Sequence, residues 1–344
     1  MRTLTVGIPV YNEIDHIEKT VHNLEGLASK VNFGIELLIV DNFSSDGTRK
    51  FLEKLNDKFL NLDVRVILND KNMGFTHSCD TLMKEAKGKY LWITGGHDLI
   101  NSDGINAINS IVEYDPDYVI CNARIRDENT NEIINESLWG ETKSEDFLTL
   151  EHFFRVMGGP CQAISCNIFK TESIKKYTER QQITHLWGFI ERVTDMLIEK
   201  KSSLRIRYID IPLVEMLIET DGWQAKGEEN FGLKPAKTFG AFTPVLQISE
   251  LYNLKLNSYP EALKQAAPFR DKLGIVRTIV IARSQGLPVS AMLLKRLSKA
   301  YGKSPIFWSF GLPIFLAPRW VSRILLLTRG IVHVLRKVFN IKTY

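Results

Sequence analysis

Cysteine is scarce in this 344-residue chain. Its four cysteines, Cys79, Cys121, Cys161 and Cys166, form no C-x-x-C pair, so their spacing argues for neither a disulfide framework nor a zinc site, and a reducing compartment fits. A GxxxxGK[ST] phosphate loop and a GxSxG nucleophile turn are missing, and none of the seven histidines has HExxH spacing. P-loop nucleotide hydrolysis, serine-hydrolase chemistry and zincin-type proteolysis are thereby set aside. Residues 1–9 hold no long apolar run and read as a strand, not a leader peptide. The apolar stretch Ile306–Ala317 is broken by Pro313, flanked by Pro305 and Pro318, and too short to span a bilayer as a helix. Negative charge is missing from one long segment altogether. Lys272–Tyr344 carries 13 Lys and Arg and no Asp or Glu, leaving 31 basic against 40 acidic residues in the rest of the chain. A basic segment of that length is a footprint for something anionic, with nucleic acid and anionic lipid as the two candidates.

What is present is an alternation of strand and helix signals over the first ~120 residues, at the spacing of βα units. Leu4–Pro9, Ile35–Val40, Val64–Leu68 and Tyr90–Thr94 are short apolar runs. Helical patterns at Asn12–Leu27, Thr48–Leu55 and Thr76–Ala86 separate them. Such a pattern predicts an α/β fold with a covered, largely parallel sheet. Ligands of such sheets sit beyond the carboxyl ends of the strands, so Asn12/Glu13, Asp41/Asn42, Asn69/Asp70 and His97/Asp98 should converge on one crevice. Further on, Tyr118–Arg124 and Leu213–Ile218 read as strands, Glu191–Glu199 as a helix, 221–238 as a loop, and the chain past ~240 as helical.

Four segments carry a resemblance to a known family. Val6–Glu13 resembles the opening strand and turn of family 2 glycosyltransferases, and Leu38–Thr48 resembles their second motif. Asn72-Met73-Gly74 resembles the turn before the third helix, and Tyr90–Ile100 the strand that bears the DxD-type acids. The resemblance implies a GT-A type, Rossmann-like mixed sheet that binds a nucleotide-sugar, with a C-terminal helical, basic amphipathic extension. It implies a nucleotide-sugar-binding set of Pro9, Tyr11, Glu13, Asp41, Asn72, Gly74 and His97, and a divalent cation, Mn²⁺ or Mg²⁺, on Asp98. The residue chemistry agrees. Pro9 and Tyr11 offer a rigid wall for a base, Asp41 can accept from a base N–H, and Glu13 can hold hydroxyls. A turn or capping role is the alternative for Asp41, and Ser44, Ser45 and Asp46 are read as caps of the following helix. Gly95-Gly96-His97-Asp98 departs from the family pattern of consecutive acids, which lowers the charge available to a metal. Asp98 as a mere helix cap and His97 as an ordinary strand-end imidazole are the plainer readings.

An inverting transfer needs a general base for the acceptor hydroxyl. Family members supply it from an acidic pair at a helix start; here Glu191 stands alone after Trp187-Gly188-Phe189, with Asp195 and His185 as alternatives and a solvent-facing helix Glu as the bland reading. Trp187 is the expected acceptor-sugar platform, or else core. Gly158–Phe169 resembles the family's small-residue strand beneath the acceptor.

In the tail, 319–338 places Trp320, Ile324, Leu327, Ile331, Val334 and Val338 on one face and Arg319, Arg323, Arg329, Arg336 and Lys337 on the other. That describes a helix lying in a membrane interface, and nucleic acid would not need the apolar face. A core helix or an oligomer interface is the alternative. The expected organisation is a GT-A domain over 1–240, with 1–125 binding the nucleotide-sugar and 126–240 facing the acceptor, followed by a helical region over 241–344. The expected activity is inverting transfer to a polyprenyl-diphosphate-linked or other glycan in surface-polysaccharide (O-antigen or capsule) synthesis, at the cytoplasmic face of the cell membrane. A degenerate GT-A protein that binds nucleotide or sugar without transfer is the rival. A nucleotidyltransferase would need a glycine-rich basic loop where Val10-Tyr11-Asn12-Glu13 stands.

Overall fold

A computed structural model describes residues 2–55, 59, 61–180, 188–201, 203–218, 242–270 and 273–327. Two compact units divide the chain, Met1–Lys234 and Pro235–Tyr344.

The first unit is built on one mixed sheet in the order β3-β2-β1-β4-β9-β6-β10-β5, with β7 beside β6 and β8 beside β10. The strands are β1 (Arg2–Val10), β2 (Gly34–Asp41), β3 (Leu62–Leu68), β4 (Tyr90–Ile93), β5 (Leu99–Ile100), β6 (Tyr118–Asp127), β7 (Ile133–Asn135), β8 (Glu145–Phe147), β9 (Asn167–Lys170) and β10 (Ile206–Ile218). Strands β1 to β4 are mutually parallel, as the βα spacing predicts. β9 then inserts antiparallel between β4 and β6. The apolar runs are buried because helices cover both faces. In α1 (Ile14–Ala28), Ile17, Val21, Leu24 and Leu27 recur at helical spacing and are all buried. Cys79, Leu82 and Met83 do the same in α3 (Phe75–Glu85).

Three sequence expectations need correction. The helix after the second strand, α2 (Thr48–Leu52), stops short of Leu55. The strand expected at Tyr118–Arg124 continues to Asp127. The strand expected at Leu213–Ile218 begins at Ile206, with register shifts against β6 on either side of Pro212. Proline has no N–H for the ladder, so a bulge there makes one strand look like two in sequence. The stretch expected as a loop at 221–238 lies outside the described residues.

Glu36 is buried in β2, where an acid is out of place unless it is paired. It accepts from Thr5 Oγ1 at 2.6 Å, Arg65 Nη1 at 2.7 Å and the Lys87 amide at 2.8 Å, tying β1, β2, β3 and the turn before β4 together.

The second unit is helical: α8 (Phe242–Lys255), α9 (Pro260–Gln265), α10 (Ala267–Arg270), α11 (Gly274–Gln285), α12 (Ala291–Tyr301), a π-helical turn (Phe307–Gly311) running into α13 (Leu312–Leu316), and α14 (Arg319–Leu327). Leu246, Ile275, Ile279, Leu297, Phe307 and Phe315 form its core. No described helix is long and apolar enough to cross a membrane.

The Glu36 network makes a pH-dependent prediction. Burial raises its carboxyl pKa, but the Thr5, Arg65 and Lys87 donors outweigh burial and the net shift is downward. A depressed carboxylate contributes stability above its unfolded pKa and loses it as pH falls through the folded value. Glu36→Gln should therefore lower unfolding free energy by about 2–3 kcal/mol at neutral pH, with the difference from wild type shrinking in acid. Urea melts at neutral and acid pH check it; a pH-independent gap would overturn the assignment.

Candidate active site

The crevice past the carboxyl ends of β1, β2 and β4 is shaped first by one loop bracing another. At the start of α1 the backbone amides have no partner inside their own helix. The loop after β2 supplies partners. Asn12 N–H donates to Ser44 Oγ at 2.9 Å, Glu13 N–H to Thr48 Oγ1 at 2.9 Å, and Ile14 N–H to Asp46 Oδ2 at 3.1 Å. Asn12 Oδ1 accepts from Ser45 N–H at 2.8 Å in return. Asp46 also accepts from Thr48 N–H at 2.9 Å. The expected caps are corrected: Gly47 holds the N-cap of α2 with no side-chain cap bond, and Ser44, Ser45 and Asp46 instead brace Asn12 and Ile14 on either side of Glu13.

Asp41 is fully buried. Its carboxylate accepts from Ser44 N–H at 3.2 and 3.3 Å and faces Arg49 Nη1 at 3.6 Å. The turn role is therefore realised. Asn72 Oδ1 accepts from Asn42 Nδ2 at 2.8 Å and from Gly74 N–H at 3.0 Å, and Gly74, with φ 87°, opens α3. Asn72 and Gly74 shape the third loop. Pro9 is buried at the end of β1 and Tyr11 is half-buried beyond it. Phe43 and Met73, which the sequence reading missed, are 49% and 47% exposed on these same loops.

The centre of the site is the end of β4. Asp98 is buried, and its Oδ2 accepts a hydrogen bond from Ser165 Oγ, which itself accepts from Gly95 N–H at 2.8 Å. Asp98 Oδ1, also buried, is left without a hydrogen-bond partner. Burial pushes the Asp98 carboxyl up, opposed by the His97 ring and the Ser165 hydroxyl. His97 Nε2 lies 3.9 Å from Asp98 Oδ1 and His97 Nδ1 lies 3.8 Å from Glu13 Oε2. His16 and Glu128 close the cluster, with His16 Nδ1 3.0 Å from Glu128 Oε1 and the two imidazoles 5.9 Å apart, edge to face. The glycines before His97 have a steric reason. A Cβ on Gly95 would meet Asp98 Oδ2 at 2.9 Å, and one on Gly96 would meet Glu13 Cγ at 3.2 Å. Neither plainer reading survives: Asn101, not Asp98, caps α4 (Ser102–Tyr114), and His97 sits among three carboxylates.

Among the described residues no three His, Cys, Asp or Glu side chains gather so as to hold a metal ion by themselves. The partnerless Asp98 Oδ1 offers a single carboxylate oxygen, which fits Mg²⁺ or Mn²⁺ when donor phosphates and water complete the shell.

On the acceptor side, α7 (Gly188–Glu199) carries both acids expected there, Glu191 fully buried and Asp195 nearly so. The solvent-facing reading of Glu191 is overturned. α7 is locked to α3 by Arg192, whose Nε and Nη2 donate to Asp80 at 3.1 and 3.0 Å. The two helices touch closely enough that a Cβ on Gly188 would meet Thr76 Cγ2 at 1.9 Å. His185 and Trp187 lie outside the described residues. The small-residue stretch before β9 is a 3₁₀ turn, Ile164–Cys166, and it delivers Ser165 to Asp98.

This sheet, with its acid and imidazole at the end of β4, defines a GT-A type glycosyltransferase fold. Residues 5–178, half of the chain, match glycosyl transferase family 2, and the chain belongs to that family. It is similar to the abequosyltransferase RfbV of Salmonella typhimurium, 26% identical over 117 residues, covering 34% of this chain and 34% of that protein. It is also similar to glycosyltransferase TuaG of Bacillus subtilis, named for teichuronic acid biosynthesis, 29% identical over 103 residues, covering 29% of this chain and 38% of that one. The matched stretch thus spans well under half of either relative. Among solved structures, S. aureus TarS 1–349 in complex with UDP-GlcNAc superposes with a TM-score of 0.52 at 15% identity, over 93% of this chain and 90% of that one. The mannosyltransferase PcManGT of Pyrobaculum calidifontis, in complex with GDP-Man and Mn²⁺, gives 0.51 at 15% identity, over 94% and 88%. These two likenesses concern the fold.

The histidine cluster is testable by titration. Burial lowers the His97 pKa, but Glu13, Asp98 and Glu128 outweigh it and push it up to about 9. A raised histidine contributes stability fully below its unfolded pKa and loses it as pH rises through the folded value. NMR of the imidazole should show His97 protonated at neutral pH with a midpoint near 9, and Glu13→Gln should move that midpoint down. A midpoint at the ordinary histidine value in wild type would sink this account.

Proposed function

We propose that this protein is an inverting glycosyltransferase, moving a sugar from a nucleotide-diphosphate donor to a hydroxyl of a lipid-linked glycan in surface-polysaccharide synthesis. The observation that carries the reading is the end of β4: buried Asp98, held by Ser165, with one oxygen unspent, beside His97 and Glu13 in a family 2 crevice. The donor's base would enter between Pro9 and Tyr11 on one side and Phe43 and Met73 on the other. Glu13 would take sugar or ribose hydroxyls. A divalent cation held by Asp98 would neutralise charge on the departing diphosphate.

Glu191 is the general base in this reading, with Asp195 one turn along the same helix as the alternative. Support comes from position, since Glu191 lies in the first turn of α7, where family members carry their acidic pair. The acceptor oxygen attacks the anomeric carbon from the face opposite the nucleotide. The bond to the diphosphate oxygen breaks, and the acceptor proton passes to the carboxylate. RfbV and TuaG, by their names, favour a sugar transfer in polymer synthesis, and the basic C-terminal region favours a membrane-bound acceptor at the cytoplasmic face. A binder that does not transfer is the second reading, motivated by the loss of consecutive acids before Asp98.

Donor hydrolysis tests this. With UDP-, GDP-, dTDP- and CDP-sugars and Mn²⁺ or Mg²⁺, one nucleotide should be released slowly by wild type and not by Asp98→Ala. With acceptor lipid extract, Glu191→Gln should lower transfer by roughly 10²–10⁴-fold while leaving donor binding intact. An undiminished Glu191→Gln beside a dead Asp195→Asn would move the base to Asp195. Nucleotide binding with no turnover, even with lipid extract, would favour the non-transferring reading.

A further inference from the structure

The stretch 305–316 is helical from end to end, with a π-turn at Phe307–Gly311, and contains no charged residue. A helix that is apolar all round is normally enclosed. This one is enclosed on one side only. Phe307, Gly311 and Phe315 are buried in the core of the second unit, while Trp308 and Leu316 are 46% and 51% exposed and Pro313 is exposed with them. The feature continues past Pro318. α14 packs on α11, as the preceding helical segment does, and it exposes Trp320 at 62% and Ile324 at 49%. Arg319, expected on the outer cationic face, instead lies over Gly286 and donates from Nε to Ser284 O at 3.0 Å. That bond fixes the start of α14 with Trp320 outward. Lys303, just before this stretch, and Arg323, beside Ile324 in α14, are exposed.

We propose that the outer face of 305–316 and α14, centred on Trp308, Leu316, Trp320 and Ile324, is a docking surface for an anionic phospholipid bilayer. The proposal deepens the reading of a lipid-linked acceptor by naming the surface that would hold the chain at the membrane. Twelve helical residues reach only about 18 Å, against a hydrocarbon core of ~30 Å, so the segment lies in the interface plane and does not cross. Tryptophan at its edges suits that depth: the Trp308 N–H is satisfied within the protein by Gly302 O at 2.7 Å, which leaves an apolar ring outward. Charge decides between lipid and a second copy of the chain. Lys272–Tyr344 has 13 basic residues and no acidic one, so pairing two copies through this face would bring like charges together, whereas anionic headgroups complement it.

The test uses the full chain and vesicles of phosphatidylcholine with or without phosphatidylglycerol, read by co-sedimentation. Wild type should bind only the anionic vesicles, less at high salt. The double variant Trp308→Ser, Leu316→Ser and the charge-reversed Lys303→Glu, Arg323→Glu should each weaken binding by roughly tenfold or more. Unchanged circular-dichroism melts and unchanged nucleotide binding in solution would show both variants intact. No binding of wild type to anionic vesicles, or wild-type binding by the serine double variant, overturns the proposal. A lipid-free dimer that the serine variant converts to monomer assigns the face to a second copy and overturns it too. Nucleotide release is assayed separately, without lipid. A chain that releases nucleotide but ignores vesicles loses this inference alone, and one that binds vesicles without turnover loses the transfer reading alone.

Discussion

The hydroxyl of Ser165 is the hinge on which the crevice depends. It accepts from Gly95 N–H and donates to Asp98 Oδ2, while the carbonyl of the same residue accepts from the Trp92 indole at 2.8 Å. One turn before β9 thereby holds the end of β4, its acid and its largest core side chain. Gly95 and Gly96 have no side chains with which to hold themselves, so the strand end depends on this contact and on Thr20 Oγ1, which donates to Gly96 O at 2.6 Å. A buried acid favours its neutral form. For Asp98 the His97 ring, the Ser165 hydroxyl and the Leu217 backbone amide oppose that tendency. The antiparallel insertion of β9 is thus a condition of the site as well as a feature of topology.

The same division of labour runs through the loops. Asp41, Asn72 and Gly74, which the motifs point to as contacts for a nucleotide, are spent largely on the backbone of the crevice itself. A binding loop must first be held in shape. What projects from the braced loops is Glu13, Tyr11, Phe43 and Met73.

Much of the fold was legible because its signals are local. Leu4–Pro9 and Ile35–Val40 are short apolar runs of the kind a doubly covered strand carries, and a helix of apolar period 3.6 separates them. The GT-A type sheet and the helical extension followed from those runs and the family motifs together. What could not be read was set by distance in the chain. β7 and β8 have three residues each and no pattern of their own. Pro212 divided β10 in sequence, although in space it is one strand. In the site, Asp98 and His97 were found from the strand that carries them. Ser165, His16 and Glu128 reach the same point from a 3₁₀ turn, a helix and the end of β6, and no spacing announces that. For Glu191 the helical period gave the element but not the face, since α7 is buried almost all round.

The departure from consecutive acids before Asp98 is accompanied in space by carboxylates from other parts of the chain. Where the pattern would place an acid, Gly96 leaves room for the methylenes of Glu13, and a Cβ there would press on them at 3.2 Å. Glu13 then reaches the imidazole that stands beside Asp98, and Glu128 approaches the neighbouring ring of His16 from the end of β6. Three segments of the chain therefore supply these carboxylates, and together they push the His97 pKa up. Counting acids along a motif underestimates such a site. The relevant count is the charge within a few ångströms of the atoms that must receive the donor's diphosphate, because Coulomb energy follows distance in space. On that count the carboxylates of Glu13, Asp98 and Glu128 all act on His97, although only Asp98 stands beside it in the chain.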